Sequence, residues 1–102
     1  MTEPLLDIGW DDAKAQSNLR KHGVAFAQAA TVMLDPLAVT VFDAVHSETE
    51  ERWFTLGQTN DGQLLAVAHT YQMQSVDTAR IRLISARNAT RRERQQYENQ
   101  PR

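Results

Sequence analysis

The sequence predicts an α+β domain: a small antiparallel sheet of about four to five strands, packed with two N-terminal helices and one C-terminal helix. Three observations carry that expectation. Phe26, Ala29, Ala30, Met33 and Leu34 form one apolar stripe of helical period. Between Val39 and Ser85, four apolar or β-branched runs are separated by short segments, the spacing of a meander with helices on one side. The run Thr90-Arg91-Arg92-Glu93 is a capping box that opens a last helix. A chain of 102 residues has room for one core, so a single domain over 1–102 is expected.

In order along the chain, Leu5 to Trp10 alternates loosely and reads as a short first strand. Asp11 or Asp12 then caps a helix, because a carboxylate accepts from the free N–H groups of the first turn. Lys14, Arg20, Lys21 and His22 favour the C-terminal end of its dipole, and Gly23 stops it. The second helix covers Phe26 to Leu34 and ends at Asp35-Pro36, since the residue before proline is pushed out of the helical region. Strands follow at Val39–Phe42, Arg52–Leu56, Leu64–Tyr71 and Arg80–Ser85, with a turn at Asn60-Asp61-Gly62. Leu64 to Tyr71 is apolar at both alternating sets and reads as a central strand covered on both faces. On the last strand Ile81 and Leu83 face one way, Arg80 and Arg82 the other. The final helix runs to about Glu98, with a frayed tail beyond it. Ala44–Glu51 and Gln72–Thr78 are the loops expected to be most flexible.

Composition narrows the function classes. There is no cysteine, hence no disulfide framework or thiolate metal site, which fits a reducing cytosol. Met1 to Leu6 lacks the basic and apolar regions of a signal peptide, and no run approaches the ~20 apolar residues of a membrane span. A cytoplasmic location with no membrane contact is expected. The net charge of −2 conceals an asymmetry. Residues 80–102 hold seven arginines against two glutamates, and residues 1–79 hold four Lys or Arg against eleven Asp or Glu. A basic end on an acidic chain points either to a localised anion-binding face or to a solvated arginine-rich helix.

No nucleotide-binding glycine motif, H-E-x-x-H metal motif or G-x-S-x-G elbow is present. Asp43 and His46 are the one pair with any prospect of joining a metal site, and their spacing does not require it; no metal or cofactor is expected. Metal-free RNA cleavage asks for other groups. The 2′-hydroxyl of the RNA attacks its own phosphorus, while the protein moves protons and neutralises the phosphorane. Lys21, His22, Arg52, His69, Tyr71, Arg82, Arg87 and Arg91 are of the right types. Each also has a structural reading. Lys21-His22 complements a helix dipole, Arg52 forms surface ion pairs, and His69 and Tyr71 pack in the sheet. Arg91, Arg92 and Arg94 solvate a helix, and Trp10 and Trp53 anchor the core. Residue types alone support an anion binder and no more.

Three segments carry a resemblance. Trp10-Asp11, then Asn18-Leu19-Arg20-Lys21-His22-Gly23-Val24 and Phe26, is similar to the opening signature of BrnT-type toxins. His46-Ser47-Glu48, then Glu50-Glu51-Arg52-Trp53, resembles their middle segment. Arg82 through Arg94, ending in Tyr97-Glu98, resembles their closing signature. The resemblance spans Leu5 to Glu98. It implies a RelE/ParE-like fold, a type II toxin that cleaves RNA without a metal, and neutralisation by a BrnA-like ribbon-helix-helix antitoxin. Promoter DNA would be bound only through that antitoxin. Carried over residue by residue, the resemblance implies a catalytic set of Lys21, His22, Arg52 and Arg87. In that set Lys21 or His22 moves protons and the two arginines hold the phosphate. Arg82, Arg91 and Arg92 are the implied RNA-binding residues. Two departures stand out: Gly9 precedes Trp10 where relatives often carry a larger residue, and Gln72–Thr78 lacks the basic residue common there. The competing reading is a non-catalytic module that docks an antitoxin-like DNA-binding protein.

Overall fold

In the computed structural model, which describes residues 4–47 and 50–100, the chain enters as strand β1 (Leu5–Gly9) and turns into helix α1 (Asp12–His22). Asp11 caps α1 by accepting the Ala13 N–H at 3.0 Å, and Gly23 closes it at φ +70° with its N–H on the Leu19 carbonyl. The stripe from Phe26 to Leu34 is not one α-helix. It is a short helix α2 (Phe26–Ala29) continued by a 3₁₀ helix, η1 (Ala30–Leu34). The Thr31 hydroxyl donates to the Gln28 carbonyl at 2.7 Å and β-branched Val32 follows, a combination that favours the tighter winding. Asp35 ends it, and its carboxylate accepts from the Leu37 N–H, the Gln58 N–H and the Tyr97 hydroxyl.

The remaining elements are β2 (Val39–Phe42), a 3₁₀ turn η2 (Ala44–His46), β3 (Arg52–Gln58), β4 (Leu64–Thr70), β5 (Gln72–Ser75), β6 (Thr78–Asn88) and α3 (Arg91–Glu98). Among the described residues the sheet has six strands in the order β1-β6-β4-β3-β2, with β5 also paired to β6. Two expectations are corrected. The sheet is mixed, because β1 lies parallel to the first half of β6. The strand count exceeds four to five, because the segment expected as a loop folds back on β6 as β5. Gln72-Met73-Gln74-Ser75 has no apolar alternation, so only its backbone pairing makes it a strand. In the other expected loop, Ala44–Glu51, η2 is ordered while Glu48 and Thr49 lie outside the described residues.

One face of the sheet carries the main core: Leu65, Val67, Ile81, Leu83 and Ala86 pack against Val24, Phe26, Ala29 and Val32 of the helical layer. Gly57 permits that contact, since a Cβ there would sit 2.9 Å from Val32 Cγ1 and 3.0 Å from Ala38 Cβ. His69 is buried on this face. Its Nδ1 donates to the Thr70 carbonyl at 2.9 Å, which leaves Nε2 to accept from the Thr55 hydroxyl at 2.7 Å. The Thr55 hydroxyl in turn lies 2.8 Å from that of Thr40. Helix α3 crosses the other face, held by its Thr90–Glu93 capping box and by the Tyr97–Asp35 bond. The Gln100 side chain donates to the Leu37 and Tyr97 carbonyls, so the chain is pinned as far as that residue; residues 101–102 of the expected frayed tail lie outside the described residues. Among the described residues, no helix is long and apolar enough to cross a membrane.

Candidate functional site

Register decides which side chains share a face, since directly opposed residues point the same way. Arg52 opposes Thr70, Phe54 opposes Ala68 and Leu56 opposes Ala66. Ala66 opposes Arg87 and Ala68 opposes Ser85; the pairing then slips so that His69 opposes Leu83. Ile84 is therefore an extra residue on β6, a bulge. Arg82 and Arg87 are five apart and would point to opposite faces of a regular strand. The bulge restores them to one face, opposite Leu83 and Ala86 in the core. Arg52, Arg82 and Arg87 thus line the face that α3 crosses.

The three arginines differ in what they touch. Arg52 is held through its backbone: its N–H donates to Ser47 Oγ at 3.0 Å and its carbonyl accepts the Asp43 N–H at 2.8 Å. Its guanidinium has no hydrogen-bond or ion-pair partner among the described residues, although Nε is buried. An unsatisfied buried donor costs about 1–3 kcal/mol. Arg82 pairs with Glu50, both side chains well exposed. Arg87 is clamped by Glu93, with Nη1 on Oε1 at 2.7 Å and Nη2 on Oε2 at 3.0 Å. That clamp drops the Glu93 pKa to about 2 and raises that of Arg87. Arg91 and Arg92 project into solvent from the first turn of α3, where the helix dipole gives a cation nothing.

Lys21 and His22 end α1. Lys21 is exposed and His22 half-buried, and neither side chain makes a hydrogen bond or ion pair among the described residues. Buried Asn18, one turn earlier, fixes this end of α1. Its amide donates to the Val24 and Ala86 carbonyls at 3.0 and 2.9 Å and accepts the Ala86 N–H at 2.9 Å. The Lys21-His22 turn is therefore anchored beside Ala86, next in sequence to Arg87, but among the described residues no hydrogen bond or ion pair joins it to any of the three arginines. His69 belongs to the core network and Tyr71 to the wall of a cleft.

Two hollows accompany the arginines. A cleft of about 750 Å³ includes Trp10, Tyr71, Arg80 and Arg82 with Asp7, Asp11, Glu50 and Glu51. A pocket of about 200 Å³ under α3 has an apolar floor of Val39, Val41, Phe54 and Leu56 and a rim of Arg87, Glu93 and Gln96. Among the described residues no group of three or more His, Cys, Asp or Glu is placed to hold a metal. One pair that the sequence offered only as a metal site is a hydrogen-bonded pair: His46 Nδ1 lies 2.9 Å from Asp43 Oδ2, and the adjacent Ser47 hydroxyl accepts the Arg52 N–H.

Comparison with known proteins agrees with this architecture. No curated protein sequence matches the chain. Among solved structures, the 1.1 Å crystal structure of the Brucella abortus ribonuclease toxin BrnT is similar, with a TM-score of 0.56, 22% identity, and coverage of 85% of this chain and 100% of that one. At that identity the likeness is one of fold. The family model described as ribonuclease toxin, BrnT, of type II toxin–antitoxin systems matches residues 10–93, from Trp10 through the capping-box Glu93. The chain belongs to the BrnT family of type II ribonuclease toxins.

Proposed function

We propose that this toxin is an endoribonuclease that cleaves RNA without a metal, on a RelE/ParE-like domain spanning 1–102. One observation supports the reading: Arg52, Arg82 and Arg87 share the sheet face that α3 crosses, and the Arg52 guanidinium there has no hydrogen-bond or ion-pair partner among the described residues. Guanidinium groups bind phosphate oxygens through paired, charge-assisted hydrogen bonds and stabilise the extra negative charge of a phosphorane. The 2′-hydroxyl attacks phosphorus, the P–O5′ bond breaks, and a 2′,3′-cyclic phosphate and a 5′-hydroxyl result. Arg52 and Arg87 hold the phosphate. Lys21 and His22 supply proton transfer, and Arg82, Arg91 and Arg92 follow the RNA backbone. A BrnA-like ribbon-helix-helix antitoxin neutralises the toxin in the cytoplasm by laying an acidic segment over these arginines, and carries the complex to promoter DNA.

The test is incubation of partner-free protein with total RNA in EDTA, beside an Arg52→Ala, Arg87→Ala variant shown to be folded. The native protein is expected to cut and the variant to lose at least about a hundredfold in rate. A folded variant that cuts as fast as the native protein removes the two arginines from the site. Native protein inert on naked RNA and in translating extracts sinks the reading in favour of a partner-docking module.

A further inference from the structure

Granting the ribonuclease reading, on which this inference rests, we propose that His46, oriented by Asp43, is the general base that takes the proton from the attacking 2′-hydroxyl. His46 Nδ1 lies 2.9 Å from Asp43 Oδ2. A carboxylate only accepts, so Nδ1 carries a proton toward Asp43, and in that tautomer of the neutral imidazole the lone pair is on Nε2. Burial separates the two partners: the Asp43 side chain is 11% exposed and that of His46 60%. A sheltered carboxylate holding an exposed imidazole by the far nitrogen is the arrangement a general base needs.

The pair is also fastened to the backbone of Arg52. The Asp43 N–H donates to the Arg52 carbonyl at 2.8 Å. The Ser47 hydroxyl donates to the Asp43 carbonyl at 2.6 Å and accepts the Arg52 N–H at 3.0 Å. Both backbone groups of Arg52 are thereby tied to the turn that carries His46. An ordinary surface ion pair would have neither the sheltered carboxylate nor this double tether. Lys21 and His22 have no comparable link to Arg52. In the step itself, His46 Nε2 takes the 2′-hydroxyl proton as the O2′–P bond forms, with Arg52 on the phosphoryl oxygens. The P–O5′ bond breaks, and the 5′-oxygen takes a proton supplied from the Lys21-His22 end. His46 returns its proton to solvent. Asp43 is the positioning residue.

The experiment is single-turnover and steady-state cleavage of an end-labelled oligoribonucleotide in EDTA by native protein, His46→Ala and Asp43→Asn, each checked for folding by its melting temperature. His46→Ala is expected to lose about 10²- to 10⁴-fold in kcat with KM nearly unchanged, and added imidazole to restore part of the loss. Imidazole should leave the native rate unaltered. Asp43→Asn is expected to lower kcat by about tenfold or more, again with little change in KM. A folded His46→Ala that cuts at the native rate, or one that is inactive and gains nothing from imidazole, overturns the assignment. A native protein that cuts no RNA overturns the ribonuclease reading and the assignment with it.

Discussion

Glu93 serves two structures at once. Its carboxylate accepts the Thr90 N–H at 2.8 Å, closing the capping box of α3, and it clamps both terminal nitrogens of Arg87. The Arg87 hydrogen bonds hold its pKa at about 2, against an ordinary 4.5. A carboxylate whose folded pKa is depressed contributes stability above the unfolded value, and that contribution is lost as pH falls toward the folded one. Arg87 is more than a third exposed, so water screens the pair and its worth is about 1 kcal/mol rather than the full linkage value. Glu93→Gln should therefore unfold at lower urea than the native protein at about pH 7. The gap should narrow below about pH 4.5 and close near pH 2; a gap constant across that range would show that the carboxylate charge is not what matters. The capping box was legible in sequence because it is local. The partner of Arg87 was not, because it depends on how β6 meets α3. His69 shows the same limit in reverse. Its residue type suits catalysis, yet burial lowers its pKa and both ring nitrogens are used within the sheet.

At the scale of elements, local signals held and pairing signals did not. The Asp11 and Gly23 boundaries of α1, the turn before β4 and the start of α3 follow from cap and turn chemistry within a few residues. The parallel seat of β1, the pairing of β5 and the bulge at Ile84 are set by partners tens of residues away. The bulge matters most for the proposed site, because alternation alone would have placed Arg82 and Arg87 on opposite faces. Asn18 is the corresponding device for α1. Beyond Gly9↔Arg82, β1 no longer pairs with β6, and the Asn18 amide takes over by binding both backbone groups of Ala86. Asn18→Ala would leave those groups and the Val24 carbonyl buried without a partner. The expected cost is roughly 3 kcal/mol in urea unfolding, with earlier amide exchange at Ala86 than elsewhere in β6. Asn18→Asp should be no milder, since a carboxylate cannot donate to the two carbonyls. A variant as stable as the native chain would mean that water replaces the amide at this edge.

For the whole molecule, charge is where sequence and structure diverge most usefully. The split between an acidic first part and a basic end is plain in the sequence. The fold does not keep the two apart: Asp7, Asp11, Glu50 and Glu51 share the larger cleft with Arg80 and Arg82, and Glu50 pairs with Arg82. The net charge of −2 gives little long-range attraction for an RNA, so the proposed function requires close contacts on the arginine face. Such contacts displace counterions from the strand, and the logarithm of affinity then falls with the logarithm of salt by about 0.7 for each phosphate neutralised. If Arg52, Arg82 and Arg87 each hold one phosphate, the slope for a 2′-O-methyl oligonucleotide, which cannot be cut, should be about −2; with Arg91 and Arg92 engaged it should approach about −3.5. Arg82→Ala should flatten it by about 0.7 and weaken binding to all sequences alike. Glu50→Gln should strengthen binding at low salt by releasing Arg82, without changing where RNA is cut. Fluorescence anisotropy across a salt series measures all three. An affinity independent of salt would mean that the arginine face does not carry the phosphates, and would move the search for the RNA path to the aromatic walls of the larger cleft.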